Sequence, residues 1–279
     1  MIRLFSPYIP KEAGEEVKKT IDSGWLNTGK KESLLRQRLR NKFNFPHVVM
    51  TTSCTSALRM SLATAGVKPR DEVITTPWTM VATNTAILEQ FAKPVFVDIE
   101  YDTLNIDPKS IEDKITNKTK SIMIVHYAGY PCDLESIYSI AQDHNLKVIE
   151  DAAQALGSKY YHKYIGELGQ FICFSLQAVK IITSGDGGFV TTSFTDFYRS
   201  LNRRCWFGID KADRVKSDLG SFPEDITELG FKYNMNDITA TFGLVSLNYF
   251  DKVFKRRQEI AKRYNEELSK SHSRITTLF

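Results

Sequence analysis

No stretch of this 279-residue chain approaches the roughly 18 consecutive apolar residues that a membrane-spanning helix needs, and residues 1–10 carry no long apolar run of the secretory kind. Cysteine is sparse. Cys54, Cys132, Cys173 and Cys205 stand far apart with no C-x-x-C pair, which argues against a zinc site or a disulfide framework and for a reducing, cytoplasmic setting. Charge of one sign is also scarce: 37 Lys and Arg against 33 Asp and Glu leave a net charge of +4. The basic residues are scattered, which disfavours nucleic acid as a partner, while a mild positive excess suits a small anionic substrate. There is no internal repeat, low-complexity tract or Gly/Ser linker. No G-x-G-x-x-G follows the first strand pattern, so a nicotinamide-dependent dehydrogenase is a weak reading.

What is present is an alternation. Strand patterns fall at 48–53, 72–76, 94–99, 120–127, 147–153, 172–175 and 188–193, several of them apolar on both faces, as expected of strands buried between two helical layers. Helix patterns lie between them at 55–65, 81–91, 108–115 and 134–144, the third with Pro108 in its first turn and Asp107 placed to cap it. The expected class is α/β with a mostly parallel sheet. Residues 195–233 read as mixed and loop-rich. From about 236 a long helical pattern runs to 271, and its charges read as a solvated face. The expected division is a large domain over 1–235, then a long helix over 236–279 leading into a smaller C-terminal domain.

In an open α/β sheet ligands bind beyond the carboxyl ends of the strands. The first such end is Ser53-Cys54-Thr55-Ser56 at a helix start, which suits a phosphate or, more plainly, ordinary N-capping. The second carries Trp78 and Met80, either of which could cover a planar ring, although a single Trp is more often a core residue. The fourth carries His126, best read as a satisfied buried histidine. The fifth ends in Glu150-Asp151, followed by Gln154, and a carboxylate at the end of a buried strand needs a partner. A metal is one answer, which no ligand-spaced cluster supports, and a cationic ring nitrogen is another. The sixth, Ser175 onward, places Lys180 in an apolar loop before a Gly-rich turn. A desolvated lysine there would be available for a Schiff base, whereas a lone lysine usually snorkels to solvent. Phosphate cradle, acid and lysine together are the needs of pyridoxal phosphate.

At these residues the chain resembles the DegT/DnrJ/EryC1/StrS family of sugar aminotransferases. The likeness runs through Gly24-Trp25-Leu26-Asn27-Thr28-Gly29, Thr52 to Leu58, Asp71 to Pro77, Pro94 to Ile99, Glu150 to Gly157, Phe174 to Gly188 and Gly230 to Asp237. The resemblance implies fold type I of the pyridoxal-phosphate enzymes, with a seven-stranded, mostly parallel sheet flanked by helices. It implies that Lys180 forms the Schiff base, Asp151 pairs with the pyridine nitrogen and Gln154 lies near the ring hydroxyl. Cys54, Thr55 and Ser175 would bind phosphate, and Trp78 or Met80 would cover the ring. It implies a homodimer with shared active sites, in which Lys232 reaches the partner's cofactor phosphate.

The expected reaction moves an amino group from glutamate to a nucleotide-linked keto sugar, with C4 of a UDP- or dTDP-linked 4-keto-6-deoxy sugar as one target, in polysaccharide biosynthesis. Two other readings stand beside it. One is a sugar dehydratase, some of whose relatives carry His where Lys180 stands. The other is a truncated, non-catalytic partner subunit. Three departures from the family pattern are Cys54 for a smaller residue, Met80 for an aromatic, and a C-terminal domain that is mostly absent.

Overall fold

The computed structural model describes residues 6–210 and 226–271. Two helices open it, α1 (Ala13–Asp22) and α2 (Lys30–Phe43). Strands and helices then alternate: β1 (His47–Thr51), α3 (Cys54–Thr64), β2 (Glu72–Thr75), α4 (Val81–Leu88), β3 (Lys93–Phe96), α5 (Pro108–Glu112), β4 (Thr119–Val125), α6 (Leu134–Asp143) and β5 (Lys147–Asp151). A short hairpin, β6 (Lys159–Tyr160) and β7 (Lys163–Tyr164), precedes β8 (Phe171–Ser175), β9 (Gly188–Thr192) and α7 (Thr195–Cys205). The described chain closes with α8 (Asp237–Leu247) and α9 (Phe250–Ser271).

Seven strands form one sheet in the order β1-β9-β8-β5-β4-β2-β3, and β9 runs antiparallel to both neighbours while β8, β5, β4, β2 and β3 are parallel. These are the seven expected strands. Six of the runs are largely buried on both faces, completely so in β2, β8 and β9, while the edge strand β3 is partly exposed. Pro94, which cannot donate to a ladder, sits in the edge strand β3. Three apolar clusters fill the space between sheet and helices: one around α2, α8 and Phe174, one around α3 and Phe171, and one around α6 and Ile122.

Three helices lie outside the sequence expectation. α1 and α2 precede the first strand, and α7 occupies part of the stretch that reads as loop. The helical stretch expected from about 236 is two helices broken at Asn248–Tyr249. α8 is largely buried in the first cluster, whereas α9 is mostly exposed beyond Phe254.

Several helix starts follow local capping chemistry. Ser53, Asp107, Asp133 and Asn236 each accept a hydrogen bond from an N–H in the first turn of α3, α5, α6 and α8 respectively. α2 is different. Its N-cap is Gly29, and its first N–H groups are met by Asp237 from α8, whose carboxylate accepts from Gly29, Lys31 and Glu32 at 2.8, 3.1 and 3.0 Å.

Candidate active site

β5 and β8 are adjacent parallel strands, so residues just beyond their ends meet. Alternation along β5 sends Glu150 and Asp151 to opposite faces. Glu150 is buried between His126 and Tyr138: its Oε2 lies 2.9 Å from His126 Nε2, and its Oε1 accepts from Tyr138 Oη at 2.7 Å. The N–H of Cys132 donates to His126 Nδ1 at 3.1 Å, so Nε2 is the donor toward Glu150. His126 is thus the satisfied buried histidine that its position suggests.

Asp151 faces α3 and α4. Its Oδ2 accepts from Thr83 Oγ1 at 2.7 Å, and its Oδ1 accepts from Ala153 N–H at 3.1 Å. Thr83 is itself hydrogen-bonded to Thr79 at 2.8 Å, so the proton order runs from Thr79 to Thr83 to Asp151. The Cys54 thiol stands 4.0 Å from Asp151 Oδ1. Burial pushes the Asp151 carboxyl above the ordinary aspartate value, and the Thr83 hydroxyl, the Ala153 N–H and the positive charge of Lys180 pull it partly back. Burial also pushes the Cys54 thiol well up, with the Asp151 charge adding to it and Lys180 opposing. The field of Lys180 therefore acts on both groups. Among the described residues Asp151 has no cationic side chain hydrogen-bonded to it, and Lys180 has no acidic partner.

Lys180 follows β8 in a turn closed by its own N–H to Gln177 O at 2.9 Å. It is half-buried, less enclosed than its apolar neighbours suggest, because the loop lies at the sheet's edge and is backed by α9. Arg257 of α9 donates from Nη2 to the carbonyls of Val179 and Lys180 at 3.1 and 3.3 Å, a brace that a solvated-helix reading overlooks.

Ser53 caps α3 and leaves the first-turn N–H groups of Cys54 and Thr55 as orphan donors, with the hydroxyls of Thr52, Ser53 and Ser56 clustered beside them. The Cys54 side chain itself points inward to Asp151, so only its backbone N–H is left to serve a ligand at this turn. Gly188 makes this approach possible, because a Cβ there would lie 2.5 Å from Cys54 N and 2.7 Å from Phe174 O. Ser175 is buried at the end of β8 and accepts from Gln177 N–H at 3.3 Å. Gln154 is exposed, its Oε1 accepting from Ala128 N–H at 3.0 Å. Trp78 packs obliquely on Tyr127, ring centroids 5.7 Å apart, and Met80 is exposed at the start of α4.

Lys232 is the expected residue that lies apart from this group. Its ammonium sits over the Trp206 ring, 3.4 Å from the centroid, rather than at the strand-end site. Its segment is nevertheless anchored beside the α3 turn, through Thr52 N–H to Tyr233 O at 2.8 Å and a bridge between Thr51 and Asn234. A wide cleft of about 1630 Å³ opens along Trp25, Gly29, Met50, Trp206 and Asn234, so cavity size alone does not find the strand-end site.

Comparison with known proteins agrees with this geometry. The sequence profile of the DegT/DnrJ/EryC1/StrS aminotransferase family matches residues 7–278. The chain belongs to this family. It is 44% identical over 273 residues to the uncharacterized protein MJ1066 of Methanocaldococcus jannaschii, covering 98% of this chain and 71% of that one. It is 38% identical over 272 residues to the spore coat polysaccharide biosynthesis protein SpsC of Bacillus subtilis, covering 97% and 70%. Among solved structures it superposes on the sugar aminotransferase CalS13 of Micromonospora echinospora with a TM-score of 0.88 at 32% identity, covering 96% and 73%. A further structural neighbour, Spr1654 of Streptococcus pneumoniae, has been solved in a PLP-form and a PMP-form. The cofactor of this DegT/DnrJ/EryC1/StrS protein is pyridoxal phosphate. The residues fit it: among those described, a buried carboxylate with no cation hydrogen-bonded to it, an amine with no acidic partner, and orphan N–H donors at a helix start.

Proposed function

We propose that this aminotransferase moves an amino group from glutamate to the keto carbon of a nucleotide-linked sugar, with C4 of a UDP- or dTDP-linked sugar as the position favoured. The observation that carries the reading is the pair Asp151, at the carboxyl end of β5, and Lys180, on the loop beyond the adjacent strand β8, neither of them hydrogen-bonded to an oppositely charged side chain among the described residues.

Bound pyridoxal phosphate supplies an electron sink for breaking a C–H bond next to nitrogen. Lys180 Nζ is the chain's group for holding the cofactor aldehyde, and once released it carries the proton at the donor's Cα as base and then acid. Asp151, whose charged form the Thr83 and Ala153 hydrogen bonds favour against the larger opposing effect of burial, would stabilise a positive charge on the ring nitrogen. The N–H groups of Cys54 and Thr55 and the Ser175 hydroxyl receive the phosphate. Either Trp78 or Met80 would cover the ring, and Gln154 would lie near its hydroxyl oxygen.

The protein acts as a homodimer, with Lys232 extending to the partner's phosphate, and it works in the cytoplasm on polysaccharide precursors. No helix among the described residues is long and apolar enough to cross a membrane.

The test is a panel of keto sugar nucleotides with glutamate, read by mass spectrometry, beside Lys180→Ala. Glutamate should convert the bound cofactor to its amine form, and Lys180→Ala should abolish the visible absorbance of the bound cofactor. A variant that keeps that absorbance rejects Lys180 as the attachment point. A cofactor unchanged by glutamate rejects transamination in favour of dehydration.

A further inference from the structure

The turn after β4 adopts a conformation its residues would not choose alone. Ala128 is left-handed, with φ 52° and ψ 15°, and Gly129 follows at φ 86°. For a residue bearing a Cβ this region is disfavoured by roughly 1–2 kcal/mol and persists where the surroundings over-determine it. Here they do. Asn105, buried between β3 and α5, uses its side-chain oxygen and both amide protons on this turn. Its Oδ1 accepts from Tyr127 N–H at 2.9 Å, and its Nδ2 donates to the carbonyls of Tyr130 and Pro131, each at 3.1 Å. Ser158 Oγ donates to Gly129 O at 2.6 Å, and His126 Nδ1 holds Cys132 N–H from the other end.

Beside the packing of the Tyr127 ring on Trp78, what this bracing delivers is the contact of the Ala128 N–H with Gln154 Oε1 at 3.0 Å. A glutamine amide has two chemically distinct ends, and a single donor on its oxygen settles which way it points. With Oε1 occupied, the Nε2 protons are the end left for a ligand. Gly129 is fitted against the same residue, since a Cβ there would lie 2.8 Å from Gln154 O.

We propose that Asn105 is a positioning residue for the reaction. It locks the 127–131 turn so that Gln154 presents its Nε2 donors, already oriented, to the ring hydroxyl oxygen of the bound cofactor. This rests on the reading of Lys180 and Asp151 as the pair that holds that cofactor. A donor fixed beforehand loses little conformational freedom on binding, which is where its advantage lies.

The test compares wild type, Asn105→Ser, Gln154→Ala and the double variant by two measurements. In the cofactor-free protein, NMR follows the Gln154 side-chain amide pair, assigned by its loss in Gln154→Ala. Wild type should show one sharp, shifted pair, and Asn105→Ser should move it toward the position of a free glutamine. With pyridoxal phosphate bound, the pH midpoint of the visible band should rise by about 0.5 unit or more in Gln154→Ala, because a donor that favours the deprotonated form is lost. Asn105→Ser should raise it in the same direction, and the double variant should go no further than Gln154→Ala.

Unchanged Gln154 signals in Asn105→Ser overturn the proposal. So does an Asn105→Ser shift that persists in full when Gln154 is already alanine. Should wild type give no visible band at all, the cofactor reading fails while the amide signals still decide the positioning. If Asn105→Ser does not fold, His126→Gln, which disturbs the hold on Cys132 N–H, carries the same two expectations.

Discussion

Thr83 Oγ1 lies 2.7 Å from Asp151 Oδ2, at the inner end of a hydroxyl relay that begins with Thr79. The two residues are 68 positions apart in the chain and come from an α-helix and a β-strand. A hydrogen bond to an ionised group contributes about 1.5–3 kcal/mol, so this contact is large enough to set how Asp151 holds its charge. Thr83→Val keeps the shape and removes the donor. The carboxyl then rises further and takes more of the proton it should leave on the ring nitrogen. Turnover should fall by about tenfold with little change in KM, and Thr83→Ser should restore it. Steady-state kinetics of the three proteins decide the matter, and an unchanged kcat in Thr83→Val would remove the relay from the mechanism.

Asp151 carries a stability cost with a definite sign. Burial raises its folded pKa above the unfolded value of 3.8. Below 3.8 both states hold the proton and the group is indifferent to folding. As the pH rises through the folded pKa, the buried charge weakens the cofactor-free fold. Cofactor-free Asp151→Asn should therefore melt at a higher temperature than wild type near pH 7.5, with the gap narrowing as the pH falls toward 3.8. The same variant should lose about 100-fold or more in turnover while keeping much of its cofactor. Thermal melts of the cofactor-free proteins across pH check the first half, and steady-state kinetics with the visible absorbance of the bound cofactor check the second.

Gly188 is required by proximity, since the α3 turn occupies the space where its side chain would be. Gly188→Ala should displace the Cys54 and Thr55 N–H groups and weaken cofactor binding by about tenfold or more, because its Cβ meets backbone that cannot rotate away. Equilibrium titration of the visible band measures this. Wild-type affinity in the variant would show that the α3 N-terminus is not the phosphate contact.

Asp237 tests the architecture rather than the chemistry. Its carboxylate serves three N–H groups at the start of α2 from 205 to 208 positions away. Asp237→Ala leaves those donors facing a buried gap and should cost about 2–4 kcal/mol in unfolding free energy, with Asp237→Asn intermediate. Denaturant unfolding reports it, and a loss under about 0.5 kcal/mol would mean that water replaces the cap.

The seven strands were legible because each is a short run with its own composition, six of them largely buried, and that property is local. α1, α2 and α7 were not: α1 and α7 carry a strong amphipathic period but no capping side chain to mark the start, and only α2 lacks the pattern itself. α2 has little hydrophobic pattern, starts at a glycine and borrows its cap from α8. α7 follows a strand without a capping side chain, in a stretch rich in polar residues. In the site, Lys180, Asp151 and the Ser53–Thr55 turn stood out because reactive groups at strand ends are chemically conspicuous. Thr83 and Asn105 did not, being ordinary polar residues on a helix and a loop. Their importance arises only when Asp151 and the Tyr127–Tyr130 turn fold against them. Lys232 shows the reverse case, a residue marked by resemblance whose side chain, within one chain, rests on Trp206.

What the sequence determines by itself is the order of the seven strands with the helices between β1 and β5, and the chemical inventory at the strand ends, since both depend on residues close in the chain. Only the tertiary structure decides that Glu150 turns to His126 while Asp151 turns to Thr83, and that Arg257 braces the lysine loop. Those outcomes depend on the pleat of one strand and on contacts between residues tens to hundreds of positions apart, and no local pattern encodes either.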